Sequence, residues 1–199
     1  MGNLKYKRFY RRKLPHLQPP RATLFITFRL ANSMPQKILV QFQREANQID
    51  KTLSEISDPQ ERSQRTYSEQ KRLFGIWDSS LDSSLRGPFW LNDPNVAALV
   101  AESIHYRDGQ VYDLDAYCIM PNHVHMVYTP LCNDTGEYYS MSAIMHSLKL
   151  YTARQCNLLL EQSGRFWQHE NYDHVVRDDH ERRRIINYVL NNPVTAGLV

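Results

Sequence analysis

Tyr117-Cys118-Ile119-Met120-Pro121-Asn122-His123-Val124-His125-Met126-Val127-Tyr128 decides how the rest of the chain is read. Side chains at i and i+2 of a strand share a face, so a strand starting at His123 turns His123 and His125 to one side and Val124 to the other. Two nitrogen ligands on one side with a β-branched packing anchor behind them make half of a metal site. Pro121-Asn122 is the connection from a preceding strand, Val111 to Ile119, into the strand His123 to Tyr128.

Working outward, Asp108-Gly109 is the turn that leads into the first of these strands. Before it, Asn92-Asp93-Pro94 supplies a capping residue and a proline start for a helix whose Val96, Leu99, Val100 and Ile104 keep the spacing of one buried face. Thr23 to Leu30 is rich in β-branched and aromatic residues and reads as a largely buried strand, preceded by a stiff extended connector, Pro15 to Pro20. Pro35 fits a first helical turn. Helical composition runs to about Ile56, Asp58-Pro59 breaks it, and a second polar helix runs to about Asp78. On the other side, Ser140 to Glu161 predicts a long helix with Met141, Ile144, Leu148 and Tyr151 on one face, ended by Gly164. Phe166 to Arg177 reads as extended. A final helix begins at Asp178-Asp179 and runs to about Asn191, where Pro193 forbids its normal continuation. The fold expected is α+β: a central, mainly antiparallel sheet with helices packed on it. One domain, 23–199, carries a helical insertion at about 43–86 and follows an N-terminal arm, 1–22.

The 199 residues, 42% hydrophobic and 23% charged, have the composition of a soluble globular protein. The net charge of +3 is unevenly spread: Lys5, Lys7, Arg8, Arg11, Arg12, Lys13 and Arg21 stand in an arm without a single acidic residue. Tyr6, Phe9 and Tyr10 interleave with these cations, a pattern suited to phosphates and stacked bases. Cys118, Cys132 and Cys156 share no zinc-ribbon or redox spacing and read as reduced thiols. No secretory signal and no membrane-length apolar run is evident, so a cytoplasmic protein without membrane contact is expected.

Projected at about 100° per residue, the last helix puts Ile185, Ile186, Val189 and Leu190 on an apolar arc. Glu181, Arg184 and Tyr188 form a separate polar stripe that Asn192 continues one turn on. A tyrosine off the apolar arc, with an arginine four residues before it and an amide four residues after, is a candidate nucleophile facing a cleft. Paired imidazoles, an amide oxygen and positions left for phosphate oxygens would suit Mg2+ or Mn2+ in a site that substrate completes. Lys149, Arg177 and Arg184 are further candidates for phosphate contact. His169, Glu170, Asp173 and His174 divide between two faces of an extended segment and read as structural or DNA-contacting rather than as a second metal cluster.

Met120 to His125, followed some sixty residues later by Tyr188-Val189-Leu190-Asn191-Asn192-Pro193, resembles the single-tyrosine HUH transposases, whose U is the hydrophobic residue between the histidines, here Val124. Arg11 to His16, Phe28-Arg29-Leu30, Gly87 to Leu91 and Phe166-Trp167-Gln168 through Arg177 are similar to the REP-associated tyrosine transposases within that group. The resemblance is weakest from Gln43 to Lys71. It also lacks a tryptophan-containing tail that members often carry after the Asn-Pro helix end. The resemblance implies a ferredoxin-like HUH endonuclease fold, with Tyr188 as nucleophile and His123, His125 and Asn192 as ligands of a divalent cation. It further implies cleavage and rejoining of single-stranded DNA near a REP-type hairpin through a 5′-phosphotyrosine, by a monomer or homodimer. A hairpin or single-stranded DNA-binding protein without turnover, and a metal-dependent hydrolase in which Tyr188 is incidental, are the competing classes.

Overall fold

The computed structural model describes residues 9–11, 15–82 and 87–198. The chain divides into two compact units, Met1–Ala31 with Phe89–Val199, and Asn32–Pro88. The first unit holds β1 (Phe9–Arg11), β2 (Pro15–Leu17), β3 (Leu24–Arg29), a single turn of 3-10 helix at Trp90–Asn92, α3 (Pro94–His105), β4 (Tyr112–Ile119), β5 (His123–Pro130), α4 (Met141–Leu159), β6 (Tyr172–Val175) and α5 (Asp179–Thr195). The second holds α1 (Gln36–Ser54) and α2 (Pro59–Asp82).

β1 and β2 pair antiparallel, so part of the stretch expected to be a bare connector is a strand. The main sheet has the order β4-β5-β3-β6, antiparallel throughout. Its first and third strands in chain order, β3 and β5, lie in the centre; α3 links β3 to β4 and α4 links β5 to β6. This is the ferredoxin-like arrangement, with α5 added after the last strand. β3 reads Leu-Phe-Ile-Thr-Phe-Arg with all six residues buried, as a central strand covered on both faces must.

Leu24, Ile26 and Phe28 of β3 and Val124, Met126 and Tyr128 of β5 face a core completed by Val96, Val100 and Ile104 of α3 and Ile144, Met145 and Leu148 of α4. Each such side chain contributes roughly 1.5–3 kcal/mol by leaving water. α3 starts where the sequence places it, with the Asp93 carboxylate accepting from the Asn95 and Val96 amides. In α4 the buried face continues through Thr152 and Cys156, while Tyr151 is 51% exposed, contrary to expectation. Thr152 is tolerated inside because its Oγ1 donates to the Leu148 carbonyl and accepts from Trp167 Nε1 at 2.8 Å.

The opposite face of the sheet carries Phe25, Thr27 and Arg29 of β3 and His123, His125 and Val127 of β5, paired Thr27 with His125 and Arg29 with His123. α5 packs here through Val189, which is fully buried. A β-bulge between Leu114 and Ala116 adds Asp115 to β4. Asp115 takes a bidentate pair from Arg182 of α5, by Nε to Oδ2 at 2.8 Å and by Nη2 to Oδ1.

Two expectations near the C-terminus need correction. The extended segment Phe166 to Arg177 is a strand only over Tyr172–Val175, preceded by one bridge from Trp167 to Leu30. α5 also runs through Pro193 to Thr195 instead of stopping at Asn191. Proline there removes one amide, the donor that would reach the Val189 carbonyl, and only two further helical residues follow. Of the expected apolar arc, Ile185 and Ile186 are half-buried and Leu190 is 57% exposed.

In the second unit, Phe42 of α1 meets Trp77 of α2 edge-on with centroids 4.8 Å apart. Arg72 bridges Glu69 at 2.8 Å and Glu45 at 3.5 Å. Gly87 sits at φ +137°, where a Cβ would stand 3.1 Å from the Asn32 carbonyl oxygen and from Ser33 Cα. Only glycine fits that close approach without strain.

Candidate active site

Strand alternation sends His123 and His125 to the face under α5, and cross-strand pairing brings Thr27 beside His125. The 3.6-residue helical repeat puts Tyr188 and Asn192 one above the other on the face of α5 that meets them. Asn192 Nδ2 donates to Tyr188 Oη at 2.9 Å and lies 3.3 Å from His125 Nε2, which lies 3.0 Å from His123 Nε2. Phenol, amide and both imidazoles thus form one continuous line of polar contacts, drawn from elements more than sixty residues apart.

Both histidines and Asn192 are buried, and Tyr188 is half-buried. Burial pushes the His123 imidazole down to about 3, and burial together with His123 holds His125 well below the ordinary histidine value. Both rings are therefore neutral at pH 7 and able to act as ligands. Their outer nitrogens are held: His123 Nδ1 by Asn122 Oδ1 at 2.6 Å, and His125 Nδ1 by Thr27 Oγ1 at 2.8 Å. Phe25 stacks on His125 with centroids 5.6 Å apart and meets Tyr188 edge-on at 6.2 Å.

This donor set suits a divalent ion. Adjacent ligands of an octahedral ion, each about 2.1 Å from it, stand about 3 Å apart, and the two Nε2 atoms are separated by 3.0 Å. The Asn192 amide, at 3.3 Å from His125 Nε2, is near enough to offer a third ligand once its oxygen is turned inward.

Arg29 lies buried on the same face, its guanidinium pushed down to about 10 by burial. Glu181, also buried, fixes the start of α5. Its Oε1 meets His174 Nε2 at 3.2 Å and Arg184 Nη2 at 3.3 Å, and its Oε2 accepts from the Arg177 amide at 2.9 Å. His174, in β6, is thus a structural partner of α5.

The structure places the other sequence candidates as follows. Lys5, Lys7, Arg8, Arg12 and Lys13 lie outside the described residues, and Arg11 belongs to β1. Arg177 and Arg184 are exposed near the start of α5. Lys149 Nζ donates to the Gln168 carbonyl at 2.8 Å, the His169 carbonyl at 3.3 Å and Asn171 Oδ1, and lies over the Phe28 ring, so it clamps the loop before β6. Sequence inspection missed Thr27, Phe25 and Asn122. Alternation along Thr23 to Leu30 held the signal for the first two, once β3 is known to pair with β5.

The antiparallel sheet presents a His-hydrophobe-His strand to a helix-borne tyrosine, the arrangement that the sequence resemblance to the single-tyrosine HUH transposases implies. Residues 95–192 match the family model described as Transposase IS200 like. More narrowly, the chain is similar to a Haemophilus influenzae protein named "Putative REP-associated tyrosine transposase", with 23% identity over 93 residues, 44% of this chain and 53% of the relative. The chain thus spans about half the length of that curated relative. Among solved structures it is similar to a REP-associated tyrosine transposase bound to a REP hairpin, with 16% identity, a TM-score of 0.49, and coverage of 96% of this chain and 74% of that one. Among the described residues no helix is long and apolar enough to cross a membrane.

Proposed function

We propose that this protein cleaves and rejoins single-stranded DNA beside REP-type hairpins in the cytoplasm, through a 5′-phosphotyrosine on Tyr188. The observation that carries this reading is the line Tyr188, Asn192, His125, His123, which joins a nucleophile to a ligand pair within 3.3 Å at every step. The match to the family model supports the class of reaction, and the name of the Haemophilus influenzae relative supports a REP-associated DNA substrate.

An isolated phenol, with a pKa near ~10, is a weak nucleophile at neutral pH. The Asn192 N–H aimed at Tyr188 Oη is a bond that strengthens as negative charge gathers on that oxygen. Phe25, packed edge-on against the ring, limits its swing. Tyr188 Oη attacks the scissile phosphorus; the P–O3′ bond breaks, and the freed 3′ oxygen takes a proton. Attack by a 3′-hydroxyl on the phosphotyrosine reverses the exchange and returns the phenol, so diester energy is conserved without a nucleotide cofactor. His123 and His125 would hold Mg2+ or Mn2+, which would supply Lewis-acid stabilisation of charge on the phosphate oxygens; Asn192 would either keep its N–H on Tyr188 or turn its oxygen inward as the third ligand. Arg177 and Arg184, exposed near the start of α5, and the basic arm are assigned to the phosphates of the flanking strand.

The test is incubation of the full chain with end-labelled hairpin oligonucleotides and Mg2+ or Mn2+, followed by denaturing gels. A covalent protein–DNA adduct that requires Tyr188 and His123 is expected. Metal-dependent cleavage that survives Tyr188→Phe would replace this reading with a hydrolase, and tight binding without cleavage would replace it with a binding module.

A further inference from the structure

We infer that Asn122 and Thr27 are positioning residues that lock both histidines as Nδ1–H tautomers and thereby turn both Nε2 lone pairs toward one point; the use of that point as a cation site rests on the functional reading above. A neutral imidazole has one N–H and one lone pair, and the bond made by one nitrogen decides what the other presents.

Asn122 Oδ1 can only accept, so the 2.6 Å contact places the proton of His123 on Nδ1 and leaves its Nε2 as a lone pair. For His125, the contact from Asn192 shows which way the Thr27 hydrogen bond runs. Asn192 Nδ2 carries only protons, one for Tyr188 Oη at 2.9 Å and one for His125 Nε2 at 3.3 Å. That makes His125 Nε2 an acceptor and puts the ring proton on Nδ1, where Thr27 Oγ1 accepts it at 2.8 Å. Two lone pairs then face each other across 3.0 Å in a buried setting. A cation drawn between them relieves that opposition, so the side chains that fix the tautomers also set the readiness of the site.

Backbone architecture supports this role for both residues. Asn122 is tied to β3 through its carbonyl, which accepts from the Leu30 amide at 2.8 Å. Thr27 is the β3 residue directly opposite His125, and its Oγ1 reaches the ring at 2.8 Å. Valine at this position keeps the shape and removes the acceptor; serine keeps the acceptor.

The test uses the full chain, 15N-labelled and stripped of metal with a chelator, and reads imidazole tautomers by long-range 1H–15N correlation. Wild type is expected to show Nδ1–H for both His123 and His125. Thr27→Val is expected to move His125 toward the Nε2–H form, and Thr27→Ser to restore it. Asn122→Ala is expected to release His123 in the same way. A wild-type His125 in the Nε2–H form, donating to His123, would overturn the inference, as would a His125 tautomer unchanged in Thr27→Val. Mn2+ titration calorimetry on the same samples judges the underlying reading separately. A 10–100-fold weaker affinity in Thr27→Val, recovered in Thr27→Ser, is expected. If the tautomers respond as stated while wild type binds no Mn2+, the positioning role stands and the cation reading falls.

Discussion

Acid should destabilise this protein through His123 and His125 in a way that can be isolated by subtraction. In the folded chain, burial lowers His123 from 6.5 to about 3, and His125 is lowered in the same direction. Between pH 6.5 and 3 the unfolded chain therefore binds a proton on His123 that the folded chain refuses. Stability rises with pH wherever the unfolded state holds more protons, so this contribution is complete above pH 6.5 and is lost as pH falls below it. The slope is up to about 1.4 kcal/mol per pH unit for each histidine. Moving from pH 7 to pH 4.5 thus costs roughly 2–3 kcal/mol from His123 alone, with His125 adding to the loss. The assay is urea denaturation with chelator present, followed by tryptophan fluorescence, on wild type and on His123→Gln/His125→Gln, at intervals from pH 7.5 to 4.5. Carboxylates and His174 titrate in both proteins and cancel in the difference. The wild-type curve should fall more steeply by an amount that grows with each pH unit below 6.5. Parallel curves would show that the two rings take up protons in the folded state and would refute the reasoning.

Tyr188→Phe removes the oxygen to which Asn192 donates; it should abolish the DNA adduct on denaturing gels while changing urea stability by no more than about 1 kcal/mol. Leu148→Ala empties a fully buried position between α4 and the sheet, and a loss of roughly 2–5 kcal/mol is expected by chemical denaturation. Arg182→Ala breaks the bidentate pair to the bulge residue Asp115. Because Arg182 is 43% exposed, the cost should stay near about 1 kcal/mol, seen as faster hydrogen exchange along α5 with the sheet unaffected. Gly87→Ala places a methyl 3.1 Å from the Asn32 carbonyl in a left-handed conformation, and roughly 1–3 kcal/mol of strain should appear as a lower Tm.

Local rules made much of this legible. Alternation alone set His123 and His125 on one face with Val124 behind them, and Asp93-Pro94 marked the start of α3 because capping chemistry is read within a few residues. Tyr188 and Asn192 were readable as a pair from helical spacing. What local rules could not reach was the partner across space. Thr27 meets His125 across 98 residues, and no spacing within β3 announces that hydroxyl. The same limit explains Tyr151 and Thr152. A polar residue fills the inward position because Trp167, in a later segment, supplies the partner that makes burial affordable. Pro193 shows a local rule overridden: one missing hydrogen bond near a helix end is outweighed by Val189 and Asn192 packing on the sheet.

The central strands have a bearing on how the protein comes to life. β3 pairs with β5 across roughly a hundred residues of chain, and α5 closes over both from still farther along. A growing polypeptide therefore presents Thr27 first, then the histidines, then the tyrosine and, four residues on, Asn192. A segment synthesised as far as β6 holds every strand of the sheet and the whole imidazole pair, and lacks Tyr188. Under the proposed function, competence to cut DNA is thus a property of the finished fold and of no intermediate along the way.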